Sequence, residues 1–506
     1  MHFQQTPRSR RGCCDVARFA ASVAAAHHSA GADANAVSSL KFGTSGLRGL
    51  VKDLVGSPCY TYASAFFRSV SAGGHTRAVV IGRDLRDSSP GLAETVASAA
   101  AAAGFTAIDC GALPTPALAL EAMRRDAYAV MVTGSHIPED RNGLKFYRPD
   151  GEITKADEVA ILAALEEIAD REAVTDRVPA RGEPDAVTRY RRRYSDAFAP
   201  DILDGLRIAV YQQSSVARDL LTDLLGAFGA RVTTIGRSDV FVPIDTEAHR
   251  PEDIAYIRDV MASGNFDALV TTDGDADRPL IADGTGRIVR GDVLGLITAR
   301  YLGADTAVVP VTAGSALERS GGFKSVVRTK VGSPFVIAGM EQARAAGAQV
   351  VAGFEANGGF LLGSDVTIDG KRLTALPTRD AMLPILATLA AVRAAGTPLA
   401  ELVVSLDAGE MASDRLPNTP SERSGAFLER LRAEAFRGEF LRPIGVPHAV
   451  DQQDGIRIEL DGGRTIHFRA SGNAPELRCY AEAKSAREAQ DLVSWGLKAA
   501  ADAMAG

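Results

Sequence analysis

Between Thr271 and Arg278 the chain reads Thr-Thr-Asp-Gly-Asp-Ala-Asp-Arg, so Asp273, Asp275 and Asp277 stand at alternate positions directly after the apolar run Ala268-Leu269-Val270. Three hard oxygen donors held this close repel one another strongly unless a cation sits among them. The segment therefore predicts a divalent-metal loop. A calcium EF-hand loop opens in the same way but requires Gly at its sixth position and Glu at its twelfth, where this chain has Arg278 and Gly284. A single Asp-Gly pair more often marks an ordinary turn. Three alternating aspartates with an arginine, behind a strand of buried type, favour the metal.

A second segment, Thr133-Gly134-Ser135-His136-Ile137-Pro138, places a hydroxyl on a tight turn after the run Ala129-Val130-Met131-Val132. Exposed backbone N–H groups there could surround an anion carried on the serine oxygen. Alone, a serine in a glycine turn is a turn or capping residue. The neighbouring Asn142-Gly143-Leu144-Lys145 changes the reading, because Lys145 can neutralise a transferring phosphoryl group or move a proton. A third segment, Arg469-Ala470-Ser471-Gly472-Asn473-Ala474-Pro475, combines a guanidinium fork, a hydroxyl, flexible backbone and an amide. It reads either as a phosphate cradle or as a hairpin-end turn with a surface arginine.

These loops need strands to carry them. Short apolar runs such as Ala78-Val79-Val80-Ile81, Ile208-Ala209-Val210-Tyr211, Ala307-Val308-Val309 and Val350-Val351-Ala352 alternate with alanine-rich helical stretches, including one from about Ser89 to Ala103. This is the pattern of α/β units with mostly parallel strands. Polar, glycine-containing loops follow three of the runs, at Thr133–His136, Thr272–Arg278 and Gly353–Gly359, and open α/β sheets bind ligands beyond the carboxyl ends of their strands. One site assembled from several domains is the economical reading. Linker signals fall at about 170–186 and near 410–424, the latter from Asn418, Pro420, Ser421 and Ser424. Beyond them, Ile456–Leu460, Asp461-Gly462-Gly463 and Thr465–Phe468 predict a hairpin. A strand over Glu476–Ala483 and a final helix complete an α+β C-terminal unit.

Composition narrows the function. At 506 residues the chain calls for roughly three or four domains. A net charge of −7 argues against a nucleic-acid surface, and Arg191-Arg192-Arg193, flanked by Asp185 and Asp196, reads as a solvated helix face. Five scattered cysteines fit a reducing cytoplasm. The apolar stretch Ala381–Val392 is too short to cross a bilayer and contains Pro384, so it predicts a buried helix and no membrane partner. Residues 1–38, rich in Arg, Ala, Ser and His, read as a disordered extension or an over-long start.

Taken together, Lys41-Phe42-Gly43-Thr44-Ser45-Gly46-Leu47-Arg48-Gly49, the Ser135 loop, the Asp273–Arg278 loop, Gly353-Phe354-Glu355-Ala356-Asn357-Gly358-Gly359 and Arg469–Pro475 resemble, in order and over residues 41–485, the α-D-phosphohexomutase superfamily. The resemblance implies an α/β chain of three related α/β domains with mixed, mostly parallel sheets, plus a C-terminal α+β domain, around a central cleft. The expected bounds are 39–183 with the phosphoserine loop, 184–288 with the metal loop, 289–408 with the sugar loop and 409–506 with the phosphate loop. It implies that Ser135 carries the phosphoryl group and that Asp273, Asp275 and Asp277 hold Mg²⁺ together with an oxygen on Ser135. Arg48, His136, Lys145 and Arg278 would surround the transferred group, Glu355 and Asn357 would meet sugar hydroxyls, and Lys330 and Gly332 would line the substrate. Arg469, Ser471, Gly472 and Asn473 would hold the non-reacting phosphate.

The implied reaction is an intramolecular phosphoryl transfer on a hexose phosphate, activated by a hexose 1,6-bisphosphate, in a cytoplasmic monomer or homodimer. Interconversion of mannose 6-phosphate and mannose 1-phosphate is the first expectation. Glucose or glucosamine phosphates are the alternatives, followed by a serine-dependent phosphatase and a non-catalytic sugar-phosphate binder. The chain departs from the superfamily's pattern at three places. Ala276 stands where glycine is usual, which a small side chain should tolerate. Ser333 stands where a histidine often follows the glycine, removing a polar contact, and Asn357 stands where serine is common.

Overall fold

A computed structural model describes residues 38–43, 46–71, 73, 76–168, 180–471 and 475–505. The predicted N-terminal extension, and Gly472 and Asn473 of the phosphate loop, lie outside the described residues. The chain is a multi-domain α/β protein whose described residues form four main sheets. The first has the order Lys41–Gly43, Gly46–Leu50, Arg141–Arg148, Tyr128–Val132, Ala78–Arg83, Thr106–Ala112, Arg181–Gly182, with Gly151–Glu152 beside Arg141–Arg148. The second runs Arg231–Arg237, Arg207–Gln213, Ala268–Thr272, Pro279–Asp283. The third runs Ser325–Thr329, Thr306–Pro310, Val351–Phe354, Phe360–Leu362, Leu376–Asp380.

One local pattern recurs in all three. A central strand paired in parallel on one side ends in a loop, and the chain returns antiparallel on the other side. Tyr128–Val132 returns as Arg141–Arg148, Ala268–Thr272 as Pro279–Asp283, and Val351–Phe354 as Phe360–Leu362. The loops between are the three that the sequence marks as polar and glycine-containing. Every residue of these three central strands is buried, as expected of strands covered on both faces.

The fourth sheet is antiparallel throughout, in the order Glu410–Leu416, Leu477–Ala483, Thr465–Ala470, Ile456–Leu460, Pro447–Asp451, and helix Ala486–Ala505 packs on it. The predicted hairpin and terminal helix are present. The linker expected near 410–424 is not. Glu410–Leu416 pairs residue by residue with Leu477–Ala483, and helix Ser421–Arg432 follows. Only Pro417–Pro420 connects them, because the turn-forming residues are confined there while the polar residues before them suit a sheet edge. The upstream linker reading loses its end in the same way, since Arg181–Gly182 joins the first sheet.

One apolar cluster runs through the first three sheets, from Val80 and Met131 through Ile208 and Val270 to Val309 and Phe354. The fourth sheet has its own cluster around Phe427, Phe468 and Leu497. The seam beside Asp407–Gly409 is polar. Arg290 Nη1 donates to Gly409 O at 2.8 Å, Ser315 Oγ donates to Glu482 Oε2 at 2.7 Å, and Arg319 pairs with Glu482 at 3.2 Å. Helix Met382–Ala395 is buried from Met382 to Ala390 and takes Pro384 in its first turn, where no backbone donor is lost. Among the described residues no single helix is long and apolar enough to cross a membrane. Arg191 and Arg192 are exposed on helix Ala186–Ala197, whose opposite face buries Tyr190 and Tyr194.

Candidate active site

The serine loop is held from beneath by a pair that sequence reasoning passed over. Asp84 follows strand Ala78–Arg83 and accepts hydrogen bonds from Thr133 Oγ1 at 2.8 Å, Ser89 Oγ at 2.6 Å and Gly134 N at 3.3 Å. It also pairs with Arg86 Nε at 3.1 Å. The buried Arg86 guanidinium donates to the carbonyls of Ser135, Ile137, Pro138 and Arg141 and stacks on Phe241 at 3.8 Å. Five carbonyl and carboxylate acceptors around one planar donor fix the loop from inside. Ser135 itself has φ +56°, the left-handed region that costs a residue with a Cβ roughly 1 kcal/mol or more. That turn aims its hydroxyl across the gap at the second sheet.

Ser135 Oγ donates to Asp273 Oδ2 at 2.5 Å and lies 3.2 Å from His136 Nδ1. The backbones approach closely as well: a Cβ on Gly274 would lie 2.9 Å from Ser135 O, so only glycine fits there. Asp273, Asp275 and Asp277 are fully buried, and each can offer an oxygen within 4.8 Å of the others'. Burial, with the charges of Asp275 and Asp277 beside it, pushes the Asp273 carboxyl well above the usual range. Burial also opposes ionisation of Asp277, but Arg379, Lys145 and Arg278 outweigh it and hold that carboxyl low. Asp275 Oδ1 and Asp277 Oδ1 are buried with no hydrogen-bond partner among the described residues. Buried orphan carboxylate oxygens are rare. Hard oxygen donors converging with unspent acceptor capacity fit Mg²⁺.

Ala276 lies at the apex with φ +57° and is fully buried. The small side chain is accommodated, as expected, but in a backbone conformation that glycine adopts without strain, which accounts for glycine being usual there.

Lys145, on strand Arg141–Arg148, places Nζ 2.6 Å from Asp275 Oδ2 and 2.6 Å from Asp277 Oδ2. Arg278 donates to His136 Nδ1 at 3.0 Å. A guanidinium only donates, so Nδ1 is the acceptor and the imidazole is neutral. Burial and the charges of Arg278 and Arg48 lower its pKa to about 2. Arg48 lies among the same cations, and burial together with Arg278 and Arg379 lowers it to about 10.

Arg379, at the end of strand Leu376–Asp380, was not foreseen either. Its guanidinium, 2% exposed, stands 3.1 Å from Asp277 Oδ2, 3.5 Å from Glu355 Oε2 and 3.8 Å from Glu152 Oε1. It ties the metal loop to the sugar loop. Ser333, expected only as a lost contact, is buried and donates to Glu152 Oε2 at 2.6 Å. Thr115 Oγ1, also unforeseen, donates to Asp275 Oδ2 at 2.5 Å. Asn357 folds its own loop: its Oδ1 accepts from Gly359 N at 2.9 Å, and its carbonyl accepts from Thr246 Oγ1 at 2.8 Å. Asn357 Nδ2 lies 3.4 Å from Glu355 Oε2.

The phosphate loop stands on the fourth sheet. Arg469 pairs through Nε with Asp454 Oδ2 at 2.8 Å, and Ser471 N donates to Glu476 O at 3.0 Å. Lys330 is exposed, and beside it Val331 N donates to Asp454 Oδ2 at 2.9 Å. Thus Ser135, His136, Lys145, Arg48, Arg278 and the three aspartates form one cluster, and Glu355 and Asn357 join it through Arg379. Asp454 meets both Arg469 of the phosphate loop and Val331 between Lys330 and Gly332, away from the first cluster.

Three sequence patterns of phosphoglucomutase/phosphomannomutase match this chain: α/β/α domain I over residues 39–172, α/β/α domain III over 290–407 and the C-terminal domain over 426–494. The chain belongs to this family. A phosphomannomutase of Sinorhizobium fredii is 47% identical over 464 residues, covering 90% of this chain and 98% of that protein. A phosphomannomutase of Salmonella muenchen is 42% identical over 464 residues, covering 90% and 94%. A phosphoglucosamine mutase of Deinococcus deserti is more distant, at 31% over 468 residues, covering 89% and 96%.

Solved phosphohexomutases share the fold. A phosphoglucomutase/phosphomannomutase family protein from Burkholderia thailandensis superposes with a TM-score of 0.70 at 22% identity, covering 90% of this chain and 96% of its own. Aspergillus fumigatus N-acetylphosphoglucosamine mutase, in complex with GlcNAc-6P and magnesium, gives 0.55 at 16% identity, covering 96% and 99%. A variant of that enzyme in complex with glucose 1,6-bisphosphate gives 0.54 at 15%, covering 97% and 99%. As a member of the phosphohexomutase family the chain is an isomerase acting on hexose phosphates.

Proposed function

We propose that the chain is a phosphomannomutase that interconverts mannose 6-phosphate and mannose 1-phosphate through a phosphorylated Ser135 and a bound mannose 1,6-bisphosphate. The observation that carries the chemistry is the Ser135 hydroxyl 2.5 Å from Asp273 with Lys145 and Arg278 around it. The preference for mannose is supported by the names of the relatives at 47% and 42% identity.

In this reading Asp273, Asp275, Asp277 and an oxygen on Ser135 hold Mg²⁺, which when bound supplies positive charge to the phosphoryl group. The free hydroxyl of the hexose phosphate attacks the phosphorus of phosphoserine, the P–Oγ bond breaks, and the Ser135 oxygen leaves with the electron pair. Lys145, Arg48 and Arg278 neutralise charge on the phosphoryl oxygens, and the proton displaced from the sugar hydroxyl ends on the departing Ser135 oxygen. Neutral His136 seats Arg278. Positioning and electrostatics supply most of the catalysis in such a transfer. Arg469 and Ser471, with Gly472 and Asn473, clamp the phosphate that does not react, while Glu355 and Asn357 contact sugar hydroxyls. The bisphosphate then turns end for end and returns its other phosphate to Ser135.

The same reading makes a hexose 1,6-bisphosphate the activator and divides the chain into domains 39–183, 184–288, 289–408 and 409–506 around a central cleft. It places the enzyme in the cytoplasm as a monomer or homodimer. The test is a coupled assay with Mg²⁺ and catalytic bisphosphate that compares mannose, glucose and glucosamine 1-phosphates for the wild type and Ser135→Ala. The expected result is turnover of mannose 1-phosphate that collapses in the variant. Activity confined to the glucosamine phosphate would replace this reading with phosphoglucosamine mutase.

A further inference from the structure

Asp454 has no part in the reaction described so far, yet it meets both the phosphate loop and the Lys330–Gly332 loop. It lies at the turn that opens strand Ile456–Leu460. Gly455 follows it with φ +83°, and a Cβ there would lie 2.2 Å from Phe468 O, so the turn has little freedom. The Asp454 carbonyl accepts from buried His467 Nε2 at 2.7 Å, and that ring stacks on Tyr480. The backbone of Asp454 is thus fixed on the same strand that carries Arg469.

Its carboxylate then reaches two ways with one oxygen. Oδ2 stands 2.8 Å from Arg469 Nε on its own sheet, in an ion pair without hydrogen-bond alignment, and accepts from Val331 N at 2.9 Å on the loop leaving strand Ser325–Thr329 of the third sheet. Pairing through Nε is informative. A terminal grip on phosphate uses the two Nη groups of the fork, so a carboxylate at Nε can orient the guanidinium without competing for the phosphate.

The geometry points to Asp454 as the positioning residue that joins the two substrate-gripping segments: it aims Arg469 and pins the Lys330–Gly332 loop to the fourth sheet. The grip on the non-reacting phosphate and the loop that faces the sugar then move together. This inference rests on the reading of Arg469 as a phosphate clamp. Asp454 acts through Arg469 and the Lys330–Gly332 loop, so its removal weakens binding through misalignment and leaves the reacting centre at Ser135 intact.

The test uses the full-length wild type, Asp454→Ala, Asp454→Asn and Arg469→Met, with whichever of mannose, glucose and glucosamine 1-phosphates is turned over fastest. Two quantities are read: KM with kcat, and hydrogen–deuterium exchange at the Val331 amide. Asp454→Ala is expected to raise KM about tenfold, equivalent to ~1.4 kcal/mol, with kcat changed less than about threefold, and to speed exchange at Val331. Asp454→Asn keeps an oxygen for Val331 N while losing the ion pair. It is therefore expected to keep that amide protected and to recover part of the KM. Arg469→Met is expected to raise KM further than either. An unchanged KM in Arg469→Met overturns the clamp reading and this inference with it. A raised KM in Arg469→Met, beside an unchanged KM and unchanged Val331 protection in Asp454→Ala, leaves the clamp standing and overturns the bridge alone.

Discussion

Replacing Arg379 with Met removes the charge at the centre of the site while nearly conserving volume. The guanidinium stands at 3.1, 3.5 and 3.8 Å from three carboxylates, on Asp277, Glu355 and Glu152. At an effective dielectric of about 20 each pair is worth about 4 to 5 kcal/mol of gross attraction, and most of that is offset by the cost of burying the ions. The cost of truncation is set by what remains, since removing one partner from a buried charge network costs about 3 to 5 kcal/mol. The three α/β sheets share one apolar cluster, so the cooperative unit is large and each kcal/mol moves the midpoint by only about 2 °C.

Arg379→Met should therefore lower the calorimetric midpoint by about 6 to 10 °C in EDTA. Saturating Mg²⁺ should narrow the gap, because a cation at Asp277 replaces part of the lost charge. Arg379→Lys keeps the charge but cannot span three carboxylates, and should recover less than half of the loss. If both variants melt within about 2 °C of the wild type in EDTA, Lys145 and Arg278 already balance these acids and the reasoning is wrong.

Mg²⁺ at a hundred times its Kd should stabilise the wild type by about 2.7 kcal/mol, read as a rise in midpoint that Asp275→Asn largely abolishes. Ala276→Gly should shift stability by no more than about 0.5 kcal/mol in urea unfolding, because relief of the left-handed backbone, about 1 kcal/mol, is offset by about 0.8 for the lost buried methyl. Burial lowers His467 to about 4, and burial with Arg278 and Arg48 lowers His136 to about 2. The unfolded chain then binds protons that the folded chain refuses. Stability is full above pH about 6.5 and falls by about 1 kcal/mol per pH unit per histidine below it. Urea unfolding between pH 7.5 and 5 should show a shallower decline for His467→Gln.

The parts of the site that the sequence revealed are those whose chemistry is local. Asp273, Asp275 and Asp277 advertise themselves by spacing, and Ser135 by its turn behind an apolar strand. The parts it concealed are partners joined only by folding. Arg379 meets Asp277 and Glu152, and Thr115 meets Asp275, across long stretches of chain, and no short window contains both members of either pair. Asp84 follows an apolar run at the same strand end as the other loops, but a lone Asp after Gly-Arg carries no signature of the Arg86 beneath it. In the sequence Ser333 shows only a loss, because its gain, the bond to Glu152, exists only once the first and third sheets meet. The missed edge strand Glu410–Leu416 shows the same limit: its register is dictated by Leu477–Ala483, and its own polar residues read as loop.

The apolar cluster that runs through three sheets and stops at the polar seam near Asp407–Gly409 has a mechanical meaning. Prising apart two of the first three units would expose hydrocarbon to water, at a cost proportional to area. Parting the fourth from the third mainly exchanges contacts such as Arg290 to Gly409 O and Arg319 to Glu482 for contacts with water, and hydrogen bonds traded with solvent change the free energy little. Three units thus behave as a stiff anvil and the fourth as a hammer on a soft pivot. The bisphosphate of the proposed reaction would have to turn without escaping, which needs both properties, and here the chain divides them between greasy and wet interfaces.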